Sequence, residues 1–314
     1  MQGWMVALLV IACVLVALSA AFVTGSLVAV HIILGRRKKM SAKNAKKKNY
    51  TAESFGVDIS WFDEVADGTE SRELTAYDGV KLCATLIKHA ERAAKVAVCC
   101  HGYGASPRSM QPQAKIFYDM GFDVLLPSMR GHGASGGKVG MAWIDRFDVL
   151  RWIDKLIDIY GQDVSIALDG VSMGGSTVIA VAGMNPPPQV KCVIDDCGFS
   201  SQRDEYFACL GKVPLPKAVA MLPLAVGVKL VHGYSIYDAD IVPFAQSMTM
   251  PALFIHGEKD AFVPFELGKK LYEACGSPQK KFYAVPDAVH ACAYVYDPEK
   301  YAAELREFVG GVVA

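Results

Sequence analysis

From Gly3 to Leu34 the chain has no Asp, Glu, Lys or Arg. A membrane-crossing helix needs about 20 apolar residues, so this run is long enough even when tilted. A cleaved signal sequence is the rival reading, but it would open on a basic region and carry a shorter apolar stretch, and Met1-Gln2-Gly3 supplies no base. The expectation is a retained transmembrane anchor over residues 1–34. Other absences narrow the chemistry. No Cys-x-x-Cys pair or Cys/His cluster has zinc spacing. The nine cysteines are an odd set, with Cys13 in the apolar run and Cys99-Cys100 adjacent, which suits free thiols in a reducing compartment and not a disulfide framework. No G-x-G-x-x-G or Walker pattern follows the first strands, which excludes a dinucleotide- or phosphate-loop role. No internal repeat stands out. Neither a metal nor a cofactor is expected.

What charge there is lies unevenly. The formal net charge is +0, yet Arg36, Arg37, Lys38, Lys39, Lys43, Lys46, Lys47 and Lys48 are eight bases with no acid among them. Taking those eight from the 32 bases leaves 24 against 32 acids, a balance that excludes a nucleic-acid-binding domain. Bases on this flank place residues 36 onward on the cytoplasmic side of a single-pass cell-membrane protein. There they can rest on anionic headgroups, at about 1 kcal/mol each. Residues 35–54 read as a basic juxtamembrane linker. The triplet Asn49-Tyr50-Thr51 matches a glycosylation acceptor that this topology hides from the machinery.

Of the 314 residues 52% are apolar and 20% charged, enough for a sizeable core. Over 55–314 short apolar runs alternate with amphipathic stretches, the order of a mostly parallel sheet with helices on both faces. Residues 73–87 carry Asp78-Gly79 between two alternating segments, a hairpin signal. Strands are expected at 96–100, 122–129, 164–168, 191–197, 251–260 and 280–286. Helices are expected between them in MQPQAKIFYDM and RFDVLRWIDKLIDIY. Residues 201–248 break the rhythm with apolar helical pieces and Pro214, Pro216 and Pro223, and read as a small helical cap over the strand ends.

The stretch LDGVSMGGS (168–176) joins a buried strand to a helix start. Ser172 lies in the turn with Gly170 and Gly174 two residues to either side, where a strained nucleophile elbow needs small residues. A serine nucleophile needs a base, and the base an orienting acid, in the order Ser…acid…His. Among the seven histidines, His31 lies in the anchor, His89 in an exposed-looking turn and His232 in the insertion. His101, His132 and His256 each precede a glycine near a strand end, which leaves His290, beyond the last strand, as the base. Asp260 is the favoured acid, because the turn His-Gly-Glu-Lys-Asp precedes a helix and should project the carboxylate toward His290, and Asp196, after the earlier strand, is its rival. Met173 and Tyr103, the latter in the Gly-rich loop His101-Gly-Tyr-Gly, are the candidate oxyanion donors through their backbone N–H groups.

These motifs, with RGHGASGG, DCGFSS and HACAYVYDPEKYAAELREF, resemble the α/β-hydrolase superfamily, and within it membrane-anchored bacterial serine hydrolases of the esterase, acylglycerol lipase and serine aminopeptidase-like kinds. The resemblance runs from about Trp61 to the C-terminus and implies the α/β-hydrolase fold and the triad Ser172, Asp260, His290. Val171 stands where relatives often carry His, Glu, Tyr or Arg. The expected activity is hydrolysis of a small-molecule carboxylic ester, of hydrophobic acyl character and near the membrane. An aminopeptidase would need acids in the cap for the α-amino group, and Asp204, Glu205, Asp238 and Asp240 are available. A membrane-tethered scaffold without catalysis is the reading from another class.

Overall fold

The computed structural model describes residues 3–35, 60–89, 94–211 and 214–313. Nearly all of the basic linker and the Asn49 triplet lie outside the described residues. Eight strands form one sheet: β1 (Thr69–Thr75), β2 (Lys81–Ile87), β3 (Lys95–Cys100), β4 (Asp123–Pro127), β5 (Ser165–Val171), β6 (Val190–Asp196), β7 (Ala252–Gly257) and β8 (Lys280–Val285). Their spatial order is β1-β2-β4-β3-β5-β6-β7-β8. β2 pairs antiparallel with β1 and with β4, and every other pairing is parallel. The hairpin expected at Asp78-Gly79 is present, with Gly79 at φ +80° in the turn. β1 starts at Thr69, earlier than the alternation suggests.

The helices are α1 (Gly3–Leu34), α2 (Gln111–Asp119), α3 (Asp145–Tyr160), α4 (Met173–Ala182), α5 (Gln202–Cys209), α6 (Leu222–His232), α7 (Phe265–Ala274) and α8 (Pro298–Gly310), with shorter turns between. Side chains alternate across a strand, so the central strands feed two cores. On one face Ala97, Cys99, Ala167, Ile194 and Leu253 pack with Phe117 of α2 and Tyr301 and Leu305 of α8. On the other, Val96, Val98, Leu168, Val193 and Phe254 pack with Trp152 of α3, Val178 of α4 and Leu271 of α7. This two-sided burial explains why β3 to β7 read as mostly apolar runs without strict alternation.

Between β6 and β7 the described residues form α5, a short helix at Lys217–Ala220, α6 and a short helix at Val242–Ser247, with an isolated bridge between Ser201 and Asp240. α1 is long and apolar enough to cross a membrane, by length and composition. Its residues from Gly3 to Gly25 are exposed, whereas Ser26, Val30 and Leu34 are buried against the rest of the chain.

Candidate active site

β5 ends at Val171 and α4 begins at Met173, so Ser172 alone makes the turn. Its backbone sits at φ 57°, ψ −118°, a region that non-glycine residues rarely occupy. Two close approaches enforce that conformation. A Cβ on Gly170 would fall 2.3 Å from the Gly174 carbonyl, and one on Gly175 would fall 2.0 Å from Asp195 Oδ1. The Ser172 N–H donates to the Asp196 carbonyl at 2.7 Å and fixes the turn to β6. α4 starts three residues earlier than the Ser176 start suggested by the sequence, because its glycine-rich first turn tolerates tight packing against the sheet.

The raised serine meets the imidazole of His290. His290 Nε2 lies 3.0 Å from Ser172 Oγ, and His290 Nδ1 lies 2.7 Å from Asp260 Oδ2. The tautomer that satisfies both bonds has Nδ1–H donating to Asp260 and Nε2 accepting from the Ser172 hydroxyl. Asp260 follows β7 and its other oxygen accepts the N–H groups of Phe262 and Val263, each at 2.9 Å. Burial alone would raise its pKa, but hydrogen bonds from His256 and His290 outweigh it and bring the carboxyl down to about 2. The carboxylate is thus held ionised behind the imidazole. The Phe262 ring leans on the His290 ring with centroids 4.8 Å apart.

Asp196, the rival acid, is directed elsewhere. Its Oδ2 accepts from the buried Tyr301 hydroxyl at 2.9 Å. Burial lifts its pKa to about 6, against the lowering effect of that bond. Of the two acids, only Asp260 bonds to His290.

The loop after β3 approaches the serine from the other side. A Cβ on Gly102 would lie 3.3 Å from Ser172 Cβ and 3.7 Å from its Oγ, so the Gly102 backbone borders Ser172. Met173, first residue of α4, has an N–H with no acceptor within its own helix. Met173 thus follows Ser172 directly, and Tyr103 follows the Gly102 backbone that borders it. Two histidines that the sequence reading set aside hold this loop. His101 Nε2 accepts from the Met129 N–H at 3.1 Å while its Nδ1 faces the Gly102 carbonyl at 2.8 Å. His132 Nε2 accepts from the Gly104 N–H at 2.9 Å, and its Nδ1 faces the Arg130 carbonyl at 3.0 Å. Arg130 is in turn clamped by Asp148 and Asp78. Burial pushes His101 down to about 3, which keeps it a neutral acceptor.

His256 was also missed: its Nε2 lies 3.5 Å from Asp260 Oδ2, so two imidazoles face one carboxylate oxygen. The i, i+4 spacing in His-Gly-Glu-Lys-Asp is the only sequence trace of it. Cys197 Sγ, Asp260 and His290 offer atoms within 4.8 Å of one another, a spacing metal ions use. Burial holds the Cys197 thiol protonated, and Asp260 and His290 are committed to each other, so the trio is a poor donor set.

The chain is similar to known hydrolases at both levels. Residues 91–222 match the family model for serine aminopeptidase, S33, and residues 170–288 that for serine hydrolase (FSH1). The protein YqkD of Bacillus subtilis (strain 168) is 26% identical over 215 residues, covering 68% of this chain and 70% of its own. A thermostable monoacylglycerol lipase of Bacillus sp. (strain H-257) is 22% identical over 239 residues, covering 70% of this chain and 92% of its own. Among solved structures, the Pyrococcus furiosus esterase Pf2001 superposes with TM-score 0.64 at 23% identity, covering 85% of this chain and 97% of that one, a likeness of fold. Strand order, elbow and family matches agree: the chain has the α/β-hydrolase fold and is similar to its serine hydrolases.

Proposed function

We propose that this chain hydrolyses carboxylic esters of hydrophobic acyl substrates at a membrane, through Ser172, His290 and Asp260. The observation that carries the reading is the pair of bonds from one imidazole to Ser172 Oγ and to Asp260. Ser172 attacks the ester carbonyl as His290 Nε2 takes its proton, and Asp260 offsets the imidazolium charge. The Met173 and Tyr103 N–H groups receive the oxyanion, and losing one such donor typically costs about 100- to 1000-fold in rate. His290 then protonates the leaving alcohol, and water clears the acyl-enzyme by the same steps reversed.

Three features support an acyl substrate near lipid. α1 is apolar along its exposed length. Leu215, Val219, Leu222 and Leu230 of the proposed cap stay exposed, and the cap's α6 packs on α1. The monoacylglycerol lipase relative points to substrates such as mono- or lysoglycerides. The serine aminopeptidase match keeps an amide substrate in view. Against it, Asp204 is already paired with Arg203 and Lys270, which leaves a weaker acidic site for an α-amino group.

The test labels the full chain in detergent with a fluorophosphonate, beside Ser172→Ala, then compares long- and short-chain esters with aminoacyl amides. Stoichiometric labelling lost in the variant, with turnover of long-chain esters, is expected. Faster amide turnover would give the aminopeptidase reading. A folded chain that does not label is a tethered scaffold, and the hydrolase reading falls.

A further inference from the structure

α1 is longer than a bilayer requires. Its 32 residues extend about 48 Å, against a hydrocarbon core of about 30 Å that some 20 residues cross. About a dozen residues are left over, and their burial differs from that of the rest. Unbroken exposure ends at Gly25, and from there Ser26, Val30 and Leu34 repeat every fourth residue along one buried stripe, while Leu27, Val28, His31 and Ile32 on the other faces stay exposed. That stripe packs on α6 at Gly227, where a Cβ would fall 2.4 Å from the Ser26 carbonyl oxygen and 2.5 Å from Val30 Cγ2. Val30 and Leu34 belong to the same core as Val139, Met141 and Val228.

The last carbonyls of a helix need outside donors, and here the hydrolase domain supplies them. The Val139 N–H donates to the Leu34 carbonyl at 3.0 Å. The Tyr103 hydroxyl donates to the Ile33 carbonyl at 2.5 Å. Tyr103 follows Gly102, whose backbone borders Ser172, and its loop is also held by His132 through Gly104. The loop is therefore suspended between an imidazole and the end of α1.

We propose that Ser26–Leu34 is a built-in part of the active site: it positions the oxyanion loop through the Ile33–Tyr103 bond and fixes the site at one height above a lipid leaflet. The inference rests on the ester-hydrolase reading above. It makes α1 a strut, because the helix runs unbroken from the exposed span into the docked segment. It also argues against removal of α1 as a signal sequence, since removal would uncover the core positions that Val30 and Leu34 fill. A substrate carried in the leaflet would then reach Ser172 without the domain having to swing toward it.

The experiment uses the full chain in lipid vesicles, with two variants. Tyr103→Phe removes the hydroxyl and keeps the ring and the backbone N–H. Gly227→Leu wedges α6 away from α1. Both are expected to lower kcat on a soluble short-chain ester by about 5- to 20-fold with KM little changed, less than the 100- to 1000-fold of a lost donor. Docking is read separately from activity. Val30→Cys, in a chain whose exposed Cys13 and Cys209 are replaced by serine, should resist a water-soluble maleimide and become reactive when Gly227→Leu is added. Rapid labelling of Val30→Cys without the wedge overturns the docked helix. Protection with wild-type kcat in both variants overturns the positioning role. A protected helix in a wild type that neither labels with fluorophosphonate nor turns over ester sinks the hydrolase reading, and the positioning role with it.

Discussion

Gly174 lies against Cys100 so closely that a Cβ at the glycine would fall 1.9 Å from the Cys100 carbonyl oxygen. The contact is backbone to backbone, between the first turn of α4 and the end of β3. No side-chain rotation can relieve it, so Gly174→Ala must move the helix or the strand that lead to Ser172 and to Gly102. Overpacking in a close-packed interior costs about 1–3 kcal/mol, and backbone contact puts this case at the upper end. A lower Tm together with a fluorophosphonate labelling rate reduced at least 10-fold is the expected outcome. Wild-type labelling would mean that the elbow does not depend on this approach.

Asp260 and Asp196 are separated by their partners, and amide substitutions test the separation. Asn at 260 can keep the shape of the site but favours the wrong imidazole tautomer, a change that costs about 10⁴-fold in kcat where a serine-histidine-aspartate triad operates. Asp260→Asn should therefore all but abolish ester turnover with KM little affected. Asp196→Asn retains an acceptor for the Tyr301 hydroxyl and should cost less than about 10-fold. If the two losses were reversed in size, the assignment of the acid would be reversed with them.

The elbow was legible in the sequence because steric demand fixes glycines at set offsets from Ser172, and His290 stood out because the other histidines had positions that explained them. The choice between Asp260 and Asp196 was legible as a preference, from the turn that carries Asp260. What directs Asp196 elsewhere was not legible: it is a hydroxyl on Tyr301, 105 residues from Asp196 in the chain. The supporting roles of His101 and His132 were hidden for the same reason: their partners are backbone N–H groups brought in by other loops. Hydropathy also treats Val30 like Val10, although one side chain is buried against α6 and the other is exposed. Apolar residues facing lipid and apolar residues facing protein look alike until the fold is known.

Asp195 is fully buried on β6, and burial raises its carboxyl to about 7 despite a hydrogen bond from the Gly198 N–H. A pKa raised in the folded state above the unfolded value near 3.8 means that the native protein binds the extra proton. The stabilising effect is then fully present below about pH 4 and is lost as the pH rises through about 7. Asp195→Asn keeps an acceptor for Gly198 and removes the charge. Thermal melts should coincide with wild type near pH 4 and exceed it by about 2–5 °C at pH 8. A difference that does not change with pH would mean that Asp195 is ionised at no cost.

Leu215, Val219 and Leu222 remain exposed on the proposed cap, whose α6 packs on the helix long enough to cross a membrane. Apolar side chains at a lipid interface each contribute through the area they bury, at about 25 cal/mol per Å². A triple replacement by serine leaves the Ser172–His290–Asp260 bonds untouched but weakens the grip of this face on a leaflet. Turnover of a monoacylglycerol presented in vesicles should fall by about 10-fold or more, while kcat/KM on a water-soluble short-chain ester stays within about 2-fold of wild type. Equal losses on both substrates would place these residues in the fold of the cap, and equal retention would mean that substrate reaches Ser172 from water. Either result would remove the argument for a lipid-borne substrate while leaving the serine chemistry standing.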